Sequence, residues 1–162
     1  MKNEVLYVRD QSGAFVVAER EMVVAAAKRH LGRRVRRGVR LANPKLVRDF
    51  LAVTLGDRDC EYFCIILLDA HHRFLRFVEL FRGTIDGASV HPREVVKLAL
   101  ETQSAAVLLV HNHPSQNAHF SSADEQITQR LKSGLDLIDV RVVDHLLVAG
   151  SEVISLAESG LL

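Results

Sequence analysis

The sequence predicts an α/β layered fold, a mixed β-sheet flanked by helices, and three observations carry that prediction. Two runs of strand length, YFCIILL at 62–68 and AAVLLV at 105–110, are apolar throughout, as strands buried on both faces are. Between and before them lie segments with apolar residues at helical spacing, such as Leu46, Val47, Phe50, Leu51 and Leu55. Strands and helices then alternate along the second half of the chain, which favours layers of helix on sheet. A length of 162 residues suits one core, with a helical and basic segment at 1–42 ahead of a main domain at 43–162.

Each element has a local reason. A short strand is expected near 4–8, and a helix at 19–31 that stops at Gly32. Asn43-Pro44 opens a second helix, with Asn43 as cap and Pro44 in the first helical position. The apolar run 62–68 and the run 74–81 flank the turn Asp69-Ala70-His71-His72-Arg73 and so form a hairpin. Gly83, and Gly87 after Asp86, mark further turns. His91-Pro92 starts a helix to about Thr102, and the buried strand at 105–110 follows. Ser121 or Ser122 caps a helix that ends near Gly134, and strands at 140–149 and 152–156 complete the chain.

Composition excludes some functions. The formal net charge is +1, so no global field points to nucleic acid. No apolar run approaches the roughly 18 residues that span a bilayer. Cys60 and Cys64 stand in C-x-x-x-C spacing, which fits neither a zinc ribbon nor a redox pair, and they read as buried, reduced thiols of a cytoplasmic protein. A base deaminase needs H-x-E with a later P-C-x-x-C, and neither is present. One local charge run stands out: Lys28, Arg29, Arg33, Arg34, Arg36, Arg37 and Arg40. It reads as a solvated helix end favoured by the helix dipole, or as a contact for DNA phosphates through Arg33, Arg34, Arg36 and Arg37.

The stretch VHNHPSQNAHFSSAD at 110–124 carries the chemistry. His111 and His113 lie just past the predicted strand, and residues two apart on extended backbone share a face. Pro114 biases His113 towards that extended form. Asp124 follows eleven residues after His113, in the first turn of the next helix. Two imidazoles and a carboxylate make a three-ligand set, as in a catalytic zinc site with an open position for water. The competing reading is structural: Ser121-x-x-Asp124 is close to a capping box, and histidines at strand ends also serve as hydrogen-bonding groups.

The order H-x-H-P, then serine eight residues past the second histidine and aspartate three further on, resembles the JAMM motif of JAB/MPN metalloproteases. More specifically, LFRGTIDGASVHPREVVKLAL (80–100), AAVLLVHNHPS (105–115), SSADEQITQRL (121–131) and DVRVVDHLLVAG (139–150) resemble the bacterial RadC family in its short form, without a helix-hairpin-helix domain in front. The resemblance implies an MPN (JAB) domain at 43–162, similar to the cytidine-deaminase-like fold. It implies zinc held by His111, His113 and Asp124, with Ser121 stabilising a tetrahedral intermediate. It further implies a glutamate acting as base on the zinc water and as acid to the leaving amine. In the family that glutamate usually stands five residues before the glycine of F-x-G-T, which is Val78 here, so Glu79 is the candidate if a β-bulge re-aims it. Gln116 replaces a common glycine, Phe120 a common proline. Asp144-His145 matches a further family segment, as a pair orienting a ligand or as a hydrogen-bonded buried pair. His91 stands in another, and His71, His72 and His119 read as surface residues.

Three functions follow as expectations. The first is a zinc-dependent hydrolase cleaving a peptide or isopeptide bond in a protein or peptide substrate. The second is a DNA-associated repair accessory or metal-dependent nuclease. The third is a non-catalytic MPN scaffold, which the Val78/Glu79 shift motivates.

Overall fold

A computed structural model describes residues 5–83 and 90–162; the turn expected at Asp86-Gly87 lies outside them. Seven strands and four helices are described: β1 (Tyr7–Arg9), β2 (Phe15–Val17), α1 (Arg20–Arg34), α2 (Pro44–Leu55), β3 (Tyr62–Leu68), β4 (Phe74–Arg82), α3 (Pro92–Glu101), β5 (Ala106–Asn112), α4 (Ser122–Asp136), β6 (Arg141–Ala149) and β7 (Glu152–Ser155). β1 and β2 form a small antiparallel hairpin of their own, so the N-terminal segment is not helical alone. The other five strands form one mixed sheet in the order β4-β3-β5-β6-β7, parallel at β5/β6 and antiparallel elsewhere. The α/β prediction therefore holds.

Side-chain alternation divides the core into two layers. Cys64, Ile66 and Leu68 of β3 face α2, where Leu46, Val47, Leu51 and Leu55 pack on them. Phe63, Ile65 and Leu67 face α3 and α4, against Val95, Leu98, Leu131 and Leu135. β3 and β5 are buried on both faces, which is why their sequences show no polar alternation.

Local signals set most boundaries. Asn43 caps α2 by accepting the Leu46 N–H through its side chain, with Pro44 at the first helical position. Asp69 Oδ1 accepts the N–H groups of His71 and Arg73 and closes the β3–β4 turn, where His72 adopts φ 56°. Two stop signals fail. α1 continues through Gly32 to Arg34, where Arg33 and Arg34 favour its C-terminal dipole. α4 continues through Gly134, because Leu135 still belongs to its buried stripe. Gly56 is dictated by space: a Cβ there would meet the Gly150 carbonyl oxygen at 2.1 Å, where the end of α2 abuts the β6–β7 turn.

Candidate metal centre

β5 runs two residues further than its apolar run suggests, so His111 is the penultimate residue of a buried strand. Its side chain is 1 % exposed and lies on the α3/α4 face, opposite Phe63 of β3. His113 follows in extended continuity, its N–H bonded to the Val148 carbonyl. A turn closed by Gln116 N–H to His113 C=O then leads the chain towards α4.

Ser121 caps α4, and the capping box is complete. Its hydroxyl accepts the Asp124 N–H, while its own N–H and hydroxyl both donate to Asp124 Oδ2, at 2.7 and 2.6 Å. Cap and ligand therefore prove compatible: Oδ2 holds the helix start and Oδ1 turns to His111 Nε2, 3.2 Å away. The Ser121 hydroxyl proton is committed to Asp124. In this arrangement Ser121 positions the carboxylate of Asp124.

Three ligand atoms converge. His111 Nε2 and His113 Nε2 are 3.1 Å apart, and Asp124 Oδ2 lies 3.7 Å from His113 Nε2. Donor atoms around a tetrahedral zinc stand about 3.3 Å apart, given bond lengths of roughly 2.0–2.1 Å. Among the described residues these three side chains form the group whose ligand atoms lie within 4.8 Å of one another. His113 Nδ1 faces the Asn117 carbonyl, a pure acceptor, at 2.9 Å, so Nδ1 carries the proton and Nε2 presents a lone pair. Burial pushes the Asp124 carboxyl up, but the hydrogen bond and charge that a protonated His111 supplies, with the Ser121 donors, outweigh it and hold the group well below the usual carboxylate range; a metal cation at Nε2 would take the place of that proton. The electrostatics call for a positive charge between acceptors, and zinc fits that demand.

Behind the ligands lies a second layer. His145 is fully buried on β6, and its Nε2 meets His111 Nδ1 at 2.9 Å. Burial, and then the charge a protonated His111 would carry beside it, push its pKa well down, so the site disfavours the charged form of this imidazole. A bulge at Val143 lets Val142 and His145 share the α3/α4 face although they are three apart. Asp144 does not meet the His145 ring: its carboxylate accepts the His145 backbone N–H, the Ser155 hydroxyl and the Ala157 N–H, and so ties down the chain after β7. Phe120 packs its ring against both His111 and His145, at centroid distances of 5.8 and 5.4 Å.

Glu79 does not join the site. The β3–β4 register pairs it with Cys64, on the α2 face, where it binds Arg58 at 2.5 Å. The Cys64 thiol is pushed up to about 12, first by burial and then by the Glu79 charge beside it. The bulge exists, but it falls at Leu80, between the pairs Phe63/Phe81 and Cys64/Glu79, and leaves Val78 rather than Glu79 packed towards α3 and α4. A one-residue difference in register is a difference of face.

A different carboxylate meets the site. The β3–β5 ladder ends at the pair Phe63/His111, and just beyond that end Glu61 and His113 line one cavity. Asn112 holds that junction: its Oδ1 accepts the Tyr62 N–H at 2.8 Å and its Nδ2 donates to the Cys60 carbonyl at 3.1 Å, in place of ladder bonds. The junction opens into a cavity of about 790 Å³ lined by Asp59, Glu61, Arg82, His113 and Asn117. Glu61 is half-buried and, among the described residues, in no ion pair. The signal was present in the sequence, as an acidic residue directly before an apolar strand, but its partner strand was not. Cys60 is only half-buried and accepts from Arg82 Nε at 3.1 Å, so the pair of buried thiols reduces to Cys64 alone. His91 sits at the α3 start with its ring against Phe81; His71 and His119 are exposed as expected, whereas His72 is half-buried with its Nε2 against Arg141.

A mixed sheet with helices on both faces and a His-His-Asp cluster at the end of its central strand defines a JAB-type α/β domain. The family model described as the RadC-like JAB domain matches residues 41–161, and the chain belongs to that family. Curated relatives agree. UPF0758 proteins of Shewanella baltica strain OS185 and Shewanella oneidensis are each 50 % identical over 148 residues, and one from Shewanella frigidimarina is 49 % identical. The aligned stretch covers 91 % of this chain and 66 % of each relative, so the chain spans just under two thirds of their length. Among the described residues no helix is long and apolar enough to cross a membrane.

Proposed function

We propose that the protein is a zinc-dependent hydrolase acting on peptide or isopeptide bonds. The observation that carries this reading is the convergence of His111 Nε2, His113 Nε2 and the Asp124 carboxylate beside a cavity that a separate carboxylate residue, Glu61, also lines. His111, His113 and Asp124 would hold the metal. When bound, zinc polarises a carbonyl and lowers the pKa of a bound water to about 7. Glu61 is the group placed to take the proton from that water and return it to the leaving amine, the role first assigned to Glu79. Ser121 fixes Asp124, and Asn112 fixes the backbone that carries Glu61. With Glu61 in that place, the shift at Val78/Glu79 no longer favours a non-catalytic scaffold. The test is zinc content per chain and hydrolysis of a peptide library, on wild type and on His113→Ala. About one zinc per chain and measurable cleavage, both lost in the variant, are expected. No zinc in either protein would refute the reading.

One observation favours a second activity alongside the first. Lys28, Arg29, Arg33, Arg34, Arg36, Arg37 and Arg40 are all exposed, and among the described residues none is in an ion pair. Arg40 bridges to Arg73 beside the β3–β4 turn, at the opposite end of β3 from His111. A polyanion such as duplex DNA would dock there, away from the metal centre. Its affinity should fall steeply with salt, by about 0.9 log units per log unit of salt for each phosphate contacted, and Arg33→Glu with Arg36→Glu should abolish it. Salt-independent binding, or none, removes this reading.

A further inference from the structure

The polar contacts behind His111 can be followed proton by proton. Thr128, on α4, has one hydroxyl proton and two neighbours: the Asp124 carbonyl at 2.5 Å and His145 Nδ1 at 2.6 Å. A carbonyl oxygen only accepts, so the hydroxyl proton goes to Asp124, as Thr side chains in helices commonly bond the residue four back. The Thr128 oxygen is then an acceptor, and His145 Nδ1 must carry the hydrogen it receives. A neutral imidazole has one donor and one acceptor, so His145 Nε2 bears a lone pair. Facing it at 2.9 Å, His111 Nδ1 must donate. His111 is left with a bare Nε2 pointing at His113 and Asp124.

We infer that His145, oriented by Thr128, is a positioning residue that fixes His111 in the Nδ1–H tautomer and so presents Nε2 as the metal ligand. The inference rests on the metal reading above for its purpose, though not for its geometry. A histidine that ligates a metal through one nitrogen is commonly held by a hydrogen bond from the other. Here the holding group is a second histidine, whose own tautomer is set by a helix. The helix that delivers Asp124 to the cluster therefore also sets, through Thr128, which nitrogen of His111 is available. Both ends of the ligand set are tied to one element, so a shift of α4 disturbs the carboxylate and the imidazole together. The relay is shut off from water: Thr128 and His145 are both fully buried, and Phe120 covers His111 and His145 from outside. No solvent molecule can substitute for a missing partner.

The experiment reads tautomers directly, by long-range ¹H–¹⁵N correlation on the full metal-free chain at alkaline pH, beside zinc affinity from competition with a chromogenic chelator. Wild type should show Nδ1–H for His111, His113 and His145. Thr128→Val keeps the shape but removes the acceptor, so His145 can turn its proton to Nε2 and donate to His111. His111 should then populate the Nε2–H form, and zinc affinity should fall about 10–100-fold. Thr128→Ser should restore both. His145→Gln can accept from His111 through its oxygen and donate to Thr128 through its nitrogen, so affinity should stay within roughly threefold, whereas His145→Leu should lose as much as Thr128→Val. An Nε2–H form of His111 in wild type, or Thr128→Val leaving tautomer and affinity unchanged, overturns the inference. Correct tautomers that respond to Thr128→Val in a chain that binds no zinc would refute the metal reading and leave the relay standing.

Discussion

The two faces of the central sheet carry the same kinds of residue and do different things. On the α2 face, β3 and β5 present Cys64, Ile66, Leu68, Leu108 and Val110 to Leu46, Val47, Leu51 and Leu55, and the nearest carboxylate, Glu79, is neutralised by Arg58 at the margin. On the α3/α4 face the same strands present Phe63, Ile65 and Leu109, and then, within one strand residue of the end, His111. Buried polar groups on that face are all partnered: His111 with His145, His145 with Thr128, Thr128 with the backbone of α4. The difference shows how a sheet keeps stability and chemistry apart. One face is a close-packed layer that only burial holds, and the other spends its last turn of strand on a polar network that must be satisfied completely.

The sharpest way to break the contrast is to exchange the two glutamates. Glu61→Gln removes the proton carrier from the metal face and should lower peptide hydrolysis by about 10²–10⁴-fold, with zinc content unchanged. The paired measurement on Glu79→Gln, on the other face, should leave turnover at the wild-type level. If instead Glu79→Gln abolishes activity and Glu61→Gln does not, the register drawn between β3, β4 and β5 fails as an account of the site.

A second substitution sharpens it from the packing side. Leu51 is fully buried on α2 against the face without polar groups. Leu51→Ala should cost about 2–5 kcal/mol in denaturant unfolding, because the cavity cannot fill. The folded fraction should bind zinc with wild-type affinity. A loss of zinc affinity in fully folded Leu51→Ala would mean that the faces are coupled through β3 and β5.

The same comparison explains what the sequence disclosed. His111, His113, Ser121 and Asp124 fall within fourteen residues, so local backbone rules and one loop bring them together, and they were legible. His145 was legible only through the family segment, with its role left between two readings. Glu61 and Thr128 were not legible, because their roles depend on which strand lies beside which and in what register, and those quantities are not local. Glu79 was misread for a related reason: its distance along the strand was nearly right, but a single residue exchanges the faces. Gly32 and Gly134 misled at the level of propensity. A glycine inside a helix costs about 1 kcal/mol, which α4 offsets with one more buried leucine.

Next in size is the Glu79–Arg58 contact itself. Both side chains are about one-third exposed, so the pair is screened, and Glu79→Gln should change stability by less than about 1 kcal/mol. A larger loss, measured in denaturant at low and high salt, would show that the pair holds β4 in register rather than decorating its edge.

The smallest effect concerns the loop that joins the faces' common end to α4. Gln116 has φ 59°, a left-handed conformation that side chains other than glycine adopt with strain. That accounts for the glycine common at this position in relatives of the resembling family. Gln116 nonetheless gains something, since its side chain lies over Gly150, where a Cβ would stand 3.5 Å from it. Gln116→Gly should relieve the strain but lose that cover and raise the entropy of the unfolded chain, for a net gain of at most about 1 kcal/mol. Its N–H still closes the turn on His113, so zinc affinity should not move. A fall in affinity with stability unchanged would show that the Gln116 side chain, and not only its backbone, sets where His113 points.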